Sequence, residues 1–285
     1  MTLECLDSSR NHYNPLEPLS SSVCTLVLAW QVFEGHPVTV AANRDERLAR
    51  PSEPPGVYAT DPDVIAPRDA EAGGTWIGIN DVGLFAGITN RWTDADLAAE
   101  RSRGNLVADA LNRESATAAR DVIVDAVDRT AYDGFTLVVV DADSAFALEW
   151  DGALRVTAFE PGVHVVANTG IDDRFDIPGH RASVARRQAE NARAVRRTLS
   201  AVVGEEPSAG TWLERAAAVL ADHDYGVCIH GDGYGTRSSS LIALGDPVHY
   251  LFADGPPCRT AFRSVDGGAS RTMALENLTE LEGHI

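Results

Sequence analysis

The order of strand-like and helix-like segments is the feature that most restricts the fold of this chain. Apolar strand patterns come first, amphipathic helices follow, and the alternation repeats once before the last strands, without regular βαβ units. This order favours two mainly antiparallel sheets with helices on their outer faces over a doubly wound parallel sheet. The predicted strands are residues 24–33, 38–44, 75–80, 84–90, 135–141, 145–150, 154–159, 163–167, 239–244 and 249–252. The predicted helices are residues 105–113, 117–130, 180–200 and 209–222.

The domain organisation follows from the same reading. Residues 1–23 are rich in Asn, Pro and Ser and show no periodicity, which predicts a disordered leader or a misannotated start. Residues 24–285 are predicted to form one domain, since a chain of this length commonly keeps a single core. The Pro- and Asp-rich residues 51–70 are expected to be a loop that acts as a substrate-facing lid.

Charge excludes several classes of partner. The formal net charge is -18, and all 24 basic residues are Arg, with no Lys. Such a surface repels phosphate backbones and anionic lipids, so we expect neither nucleic acid nor membrane binding. No apolar run approaches the roughly 20 residues of a membrane span. The acid excess predicts a cytoplasmic protein of a salt-accumulating halophile, whereas a GC-rich genome would explain only the missing Lys.

The cysteines and histidines give little sign of a metal or cofactor. Four cysteines are too few and too scattered for a disulfide scaffold, and no CxxC pair suggests zinc, which fits a reducing cytosol. Cys228 and His230 lie two apart on a predicted strand and would share a face, which leaves a pair of metal or haem ligands as the alternative to ordinary structural residues. Since no histidine has metal-ligand spacing, ordinary surface or core positions are the default interpretation, and we predict no metal and no cofactor.

Cys24 is the candidate nucleophile. It follows Val23, and Val codons such as GTG also initiate translation, so we expect synthesis to begin at position 23 and Cys24 to become the first residue. A free α-amine, with a pKa near 7.7–8.0, is well matched to activate the thiol at neutral pH. The alternative is a small, inert cysteine packed at a strand start.

The first hairpin predicts the neighbours of this thiol. A turn centred near Gly35 would place Cys24 opposite Glu46 and Leu26 opposite Arg44. The charged residues that end the second strand would then lie beside the sulfur and set its pKa.

Four separated motifs carry a resemblance to a known family. Cys24-Thr25-Leu26, Ala42-Asn43-Arg44-Asp45-Glu46, Gly73-Gly74-Thr75-Trp76 and Gly235-Thr236-Arg237 resemble the NRDE family, the homologues of transport and Golgi organisation protein 2. The layout is similar, more distantly, to the cholylglycine hydrolase and penicillin V acylase group. The resemblance implies an α+β fold, a four-layer αββα sandwich of the N-terminal-nucleophile hydrolase type, with Cys24 as nucleophile.

The acylase resemblance implies roles for further residues. Asn43-Arg44-Asp45 is similar to the acylases' Asn-x-Asp, which implies that Asp45 holds the amine of the nucleophile. The acylases place an Arg just before that Asn, whereas Arg44 lies inside the motif, and a one-residue change reverses the strand face. Asn90 resembles the acylase Asn that donates to the developing oxyanion.

Two later residues and a group of substrate-binding residues complete the predicted site. Asn168 resembles a strand-end Asn near the acylase nucleophile, although Asn also starts turns. Arg237 is expected to bind a carboxylate or a neighbouring side chain. The predicted substrate-binding residues are Asn43, Gly73, Gly74, Thr75 and Trp76; the glycines would let a substrate approach the backbone, or are plain turn residues.

These residues lead to two interpretations of function. In the first, Cys24 attacks a small non-peptide amide or thioester, as in an amidohydrolase or acyltransferase. In the second, which the family resemblance also implies, the protein binds and carries haem, lipid or acyl-CoA without catalysis. Fold by itself does not separate them.

Overall fold

The computed structural model describes residues 24–204 and 208–265, and within them the chain forms two sheets and four α-helices. The strands are β1 (Thr25–Phe33), β2 (His36–Arg47), β3 (Ser52–Thr60), β4 (Asp63–Asp69), β5 (Ile77–Asn80), β6 (Phe85–Asn90), β7 (Phe135–Val140), β8 (Ala145–Trp150), β9 (Leu154–Ala158), β10 (Gly162–Ala167), β11 (Gly170–Ile171), β12 (Arg174–Phe175), β13 (Tyr234–Leu244), β14 (His249–Ala253) and β15 (Arg263–Ser264). The helices are α1 (Arg103–Leu111), α2 (Ala116–Arg129), α3 (Ala182–Val202) and α4 (Ala209–Ala221). The predicted leader, residues 1–23, and residues 266–285 of the predicted domain lie outside the described residues.

Both sheets are antiparallel, as the element order predicts. The first sheet has the order β12-β11-β10-β1-β2-β13-β14-β15, and the second has the order β3-β4-β5-β6-β7-β8-β9. In the first sheet, β2 lies between β1 and β13, so the N-terminal hairpin joins a strand from almost 200 residues later. This pairing places the motif at residues 42–46 beside the motif at residues 235–237.

Three apolar clusters fill the spaces between four layers, which are two sheets in the middle and a pair of helices on each outer face. The central cluster joins the inner faces of the sheets, with residues such as Leu28 and Val40 facing Phe85 and Val138. A second cluster packs α3 and α4 on the first sheet, and a third packs α1 and α2 on the second. Strand β7, with the sequence FTLVVV, is buried along its whole length because both of its faces meet other layers. The αββα sandwich is therefore confirmed.

The helices follow from spacing and capping. In α2, the buried residues Ala116, Ala119, Ile123 and Val127 recur every three or four positions and form one apolar stripe. Serine side chains cap α2 and α4: that of Ser115 accepts a hydrogen bond from a backbone N–H of the first turn, and Ser208 does the same in α4. No helix within residues 24–204 and 208–265 is long and apolar enough to cross a membrane.

The loop predicted for residues 51–70 is wrong. This segment forms the hairpin of β3 and β4, and β4 pairs with β5. Strand β3 contains Pro54 and Pro55, which usually argue against a strand, but it lies at the edge of the second sheet. An edge strand needs hydrogen-bond donors on one side only, so it tolerates proline.

Candidate active site

A cavity of about 130 Å³ lies where the two sheets and the start of α1 meet. Its wall combines the beginning of β1, the end of β2, the end of β6 and residues around Arg103. Seven of the predicted site residues contribute to it: Cys24, Asn43, Arg44, Asp45, Thr75, Trp76 and Asn90. Segments distant in sequence therefore form one enclosure with Cys24 in its wall.

The register of the first hairpin differs from the prediction by two residues. Thr25 pairs with Asn43 and Leu26 with Ala42, so Cys24 lies opposite Arg44 rather than Glu46. A bulge between Trp30 and Phe33 shifts the pairing near a tight turn, where Gly35 has a φ of 76°. Because a shift of two preserves the faces of a strand, Arg44 and Cys24 still share a face.

The Cys24 thiol is half-buried and donates toward the backbone oxygen of Asp45, 3.7 Å away. Burial, and then the Asp45 carboxylate, raise the pKa of the Cys24 thiol to about 12, against the opposing effects of that hydrogen bond and of Arg44. At neutral pH the sulfur is therefore protonated, and a base must remove its proton before it can attack.

Arg44 presents a cation to the cavity. Its guanidinium carbon lies 3.9 Å from the centroid of the Trp76 ring, and Nη2 lies 3.7 Å from Oδ2 of Asp69. The side chain is 8% exposed, and Nη1 is buried without a hydrogen-bond partner among the described residues. Trp76 thus supports the Arg44 guanidinium group by a cation–π contact.

Asp45 is a buried carboxylate with one oxygen satisfied. Oδ1 accepts a 2.5 Å hydrogen bond from Oγ1 of Thr236, which itself accepts one from the backbone N–H of Ile229. Oδ2 is buried and has no partner within residues 24–204 and 208–265. Burial raises the pKa of Asp45 well above its ordinary value. Thr236, whose role the sequence did not suggest, orients this carboxylate.

Asn90 and Asn168 occupy different positions. Asn90 lies in the cavity wall at the end of β6, whereas Asn168 is fully buried outside that wall. The Asn168 amide donates to the backbone oxygen of Asn90 at 2.7 Å and accepts from Nε2 of Gln188 at 2.8 Å. Asn168 therefore holds the strand end that carries Asn90.

Two of the predicted substrate-binding residues have structural contacts. The Asn43 side-chain amide donates to the backbone oxygens of Leu220 and Val227, which ties β2 to the end of α4. Gly74 has a φ of 76°, and a Cβ there would lie 2.5 Å from the backbone of Gly104. Glycine is required at position 74 for the close approach of α1.

Of the remaining predicted residues, Thr75 contributes to the cavity wall, whereas Gly73 and Arg237 do not. Thr75 is buried in the cavity wall, and its hydroxyl donates to the backbone oxygen of Ile77. Gly73 is outside the wall, with a φ of 68° and open space around its Cα. Arg237 also lies outside it and binds the Asp254 carboxylate at 2.8 Å, the neighbouring-side-chain form of its predicted role.

The sequence did not suggest three other charged side chains that line the cavity near Arg44, which are Arg50, Asp69 and Arg103. Nε of Arg50 binds Asp69 at 2.8 Å, and Arg103 donates to the backbone oxygen of Gly134 at 2.8 Å. Asp69 falls in the segment predicted to be a loop, so it had no assigned neighbours. Its position on β4, adjacent to the cavity, became visible only through sheet pairing.

Structural comparison agrees with the fold. The chain is similar to penicillin V acylase from Agrobacterium tumefaciens, with a TM-score of 0.51 and 15% identity, covering 85% of this chain and 86% of the acylase. A variant of the conjugated bile acid hydrolase from Clostridium perfringens also has a TM-score of 0.51, with 10% identity over 90% of this chain and 99% of the hydrolase. At these identities the similarity concerns the N-terminal-nucleophile hydrolase fold.

Sequence comparison gives the family. The human transport and Golgi organization protein 2 homolog is 25% identical over 243 residues, covering 75% of this chain and 84% of the human protein. The mouse (Mus musculus) transport and Golgi organization 2 homolog is 23% identical over 236 residues, with the same coverage. Residues 23–254, which include every cavity residue described above, match the family Transport and Golgi organisation 2, and the chain belongs to that family.

Proposed function

We propose that this protein is an N-terminal-nucleophile cysteine enzyme that hydrolyses or transfers the acyl group of a small non-peptide amide or thioester. The observation that carries the proposal is the convergence of three groups on one cavity. These groups are the side chains of Cys24, Arg44 and Asp45, and among the described residues neither Nη1 of Arg44 nor Oδ2 of Asp45, both buried, has a hydrogen-bond partner. Buried polar atoms are usually satisfied, so atoms left open beside a thiol suggest places for a ligand or an amine.

The proposed reaction uses the Cys24 α-amine as the base. The amine takes the thiol proton, and the sulfur attacks the acyl carbon, forming a C–S bond and an oxyanion. The oxyanion collapses, the C–N or C–S bond of the substrate breaks, and the leaving group takes the proton. Water or an acceptor amine then cleaves the thioester and restores the thiol. The pKa of the Cys24 thiol, raised to about 12, makes such a base necessary at neutral pH.

The surrounding residues have separate proposed roles. Oδ2 of Asp45 accepts a hydrogen bond from the α-ammonium group and holds it beside the sulfur. Asn90 donates to the oxyanion, an interaction worth about 3–4 kcal/mol in other hydrolases. Arg44 binds a negative group of the substrate or supports the oxyanion. A cavity of about 130 Å³ suits a small acyl group, because a cavity of roughly 150 Å³ in another protein binds benzene.

The test compares wild type with Cys24→Ser and Cys24→Ala. We expect acyl transfer from a panel of acyl-CoA thioesters and N-acyl amines to fall to background in Cys24→Ala, with weak residual turnover in Cys24→Ser. Each change replaces one small side chain with another, so stability should stay within about 1 kcal/mol of wild type. A carrier of haem, lipid or acyl-CoA would bind its ligand equally well in all three proteins. Identical turnover in wild type and Cys24→Ala across the panel would contradict the proposal.

A second comparison tests the base. A chain produced with Met directly before Cys24, which methionine aminopeptidase trims, should be active. The same chain with an acetylated Cys24 α-amine should retain its fold and lose turnover. Equal activity of the two forms would exclude the α-amine as the base.

A further inference from the structure

A second cluster of reactive side chains lies outside the cavity wall. Within residues 24–204 and 208–265, His223, Cys228, His230 and Cys258 each direct one nitrogen or sulfur atom into a space where all four atoms lie within 4.8 Å of one another. Cys228 and His230 belong to the connection between α4 and β13, not to a strand as predicted. Cys258 comes from the segment between β14 and β15, which explains why sequence spacing did not reveal the group.

The distances in this cluster bring the four donor atoms close enough together to surround one metal ion. Cys228 Sγ lies 3.6 Å from His230 Nε2, which lies 3.1 Å from Cys258 Sγ. Zinc bonds of about 2.3 Å to sulfur and 2.0–2.1 Å to nitrogen, at tetrahedral angles, give sulfur–nitrogen edges of about 3.6 Å. The rings of His223 and His230 meet edge to face, with centroids 5.0 Å apart. A disulfide between the two cysteines would use neither imidazole.

The backbone holds these side chains in place. His223 is part of a 3-10 turn, and its carbonyl accepts a hydrogen bond from the N–H of Gly226. His230 forms an isolated bridge with Gly235, and its neighbour Ile229 is bonded to both the backbone and the hydroxyl of Thr236. A set of donors positioned by backbone contacts loses little entropy when it binds an ion.

We propose that His223, Cys228, His230 and Cys258 form a structural zinc site. Two sulfur and two imidazole ligands suit Zn²⁺, and four protein ligands complete its tetrahedron, which leaves no position for a substrate. Each thiol releases its proton to solvent as it binds the ion, and both histidines bind as neutral rings. The two histidines are exposed, so the ion has a route from solvent.

The zinc site would connect three segments next to the cavity. It joins the end of α4, the segment before β13 and the turn after β14. The same segment before β13 is hydrogen-bonded to Thr236, which orients Asp45. Zinc would therefore stiffen the support of that carboxylate, although the site is separate from the proposed chemistry at Cys24 and does not depend on it.

The test measures the metal content of the full chain, purified with a reductant that keeps the cysteines reduced and does not chelate zinc. We expect one equivalent of zinc by mass spectrometry after dialysis, and a native mass that increases by one zinc and decreases by two protons. Cobalt(II) in place of zinc should produce the sulfur-to-cobalt charge-transfer band of a two-thiolate site. Added zinc should raise the unfolding midpoint.

Variants with matched controls test whether zinc binds at this cluster or at other cysteines and histidines of the chain. Cys258→Ser and His223→Ala should bind zinc more than about tenfold less tightly, since even loss of an outer-shell partner costs 10–100-fold. Cys258→Ser should also lose one thiolate contribution to the cobalt band. The matched controls are Cys24→Ser, at another half-buried cysteine, and His180→Ala, at another exposed histidine, and both should bind zinc like wild type.

Four results would overturn the proposal, of which the first three concern metal binding. They are trace zinc only after dialysis, a cobalt spectrum without the charge-transfer band, and a spectrum that Cys258→Ser leaves unchanged. A Cys228–Cys258 disulfide whose reduction yields no zinc binding would also overturn it and assign the pair to redox chemistry. Both Cys258 and His223 have exposed surface, so these variants are expected to fold even if replacement of the buried Cys228 is not tolerated.

Discussion

Replacement of Asn168 by Ala tests whether this side chain is a positioning residue. The change removes the 2.7 Å hydrogen bond to the Asn90 backbone oxygen and the 2.8 Å bond from Gln188. Both groups then lose the hydrogen bond that this fully buried side chain supplies. Loss of a hydrogen bond by a buried polar group lowers the free energy of unfolding by about 1–3 kcal/mol. Two such losses therefore give a range of roughly 2–6 kcal/mol. Water entering the vacated space would recover part of this cost, and we expect a loss of about 2–4 kcal/mol.

Urea unfolding followed by tryptophan fluorescence measures this loss. The matched control is Gln188→Leu, which removes one of the two bonds and leaves the contact between Asn168 and Asn90 intact. We expect Gln188→Leu to lower the free energy of unfolding by about 1–3 kcal/mol. Turnover with the best substrate of the acyl panel should fall in Asn168→Ala, through kcat, and stay near wild type in Gln188→Leu. A stability loss below about 0.5 kcal/mol for Asn168→Ala, typical of a surface change, would refute the reasoning.

Four further predictions concern the Asp45 carboxylate, the surface charge and the N-terminus. Asp45→Asn should keep the fold but label more slowly with thiol reagents near neutral pH, because the amine is no longer held; faster labelling would show that the carboxylate only repels the thiolate. Since burial raises the pKa of Asp45 in the folded state, wild type should lose stability relative to Asp45→Asn as pH rises above the ordinary Asp pKa of about 3.9, and parallel pH–stability curves would contradict this. With a net charge of -18, the protein should unfold at higher urea as KCl is raised toward molar concentrations; an unchanged midpoint would count against adaptation to salt. N-terminal sequencing of protein from the native host should begin at Cys24, and a mature chain that retains residues 1–23 would exclude direct catalysis by the α-amine.

Much of the architecture was predictable because it depends on local periodicity. Alternation and apolar runs located the strands of the first hairpin and the continuous core strand β7, and helical spacing located α2. The position of β3 was not predictable in this way. Its prolines resemble loop chemistry until an edge position makes them acceptable, and edge position is a property of the assembled sheet.

The candidate site was also predictable only in part from the sequence. The motifs around Cys24, Arg44 and Asp45 identified a thiol with charged neighbours, and pairing of β1 with β2 brings them together. The close packing of Gly74 against α1 was not predictable, because the backbone that approaches it lies about 30 residues later in the chain. Nothing in the sequence near Asp45 indicates Thr236, which reaches it across the pairing of β2 with β13.

The sequence by itself determined the two-sheet class, the order of most strands and helices, and a set of candidate residues for the proposed acyl chemistry. Only the tertiary structure decided which side chains meet: Cys24 with Arg44 after a bulge, Asn168 behind Asn90, and Cys258 beside Cys228. The physical reason is that periodicity reports which face of a segment is apolar, over a few residues at a time. Contacts between segments depend on bulges, edge positions and the packing of distant layers, which no local pattern records.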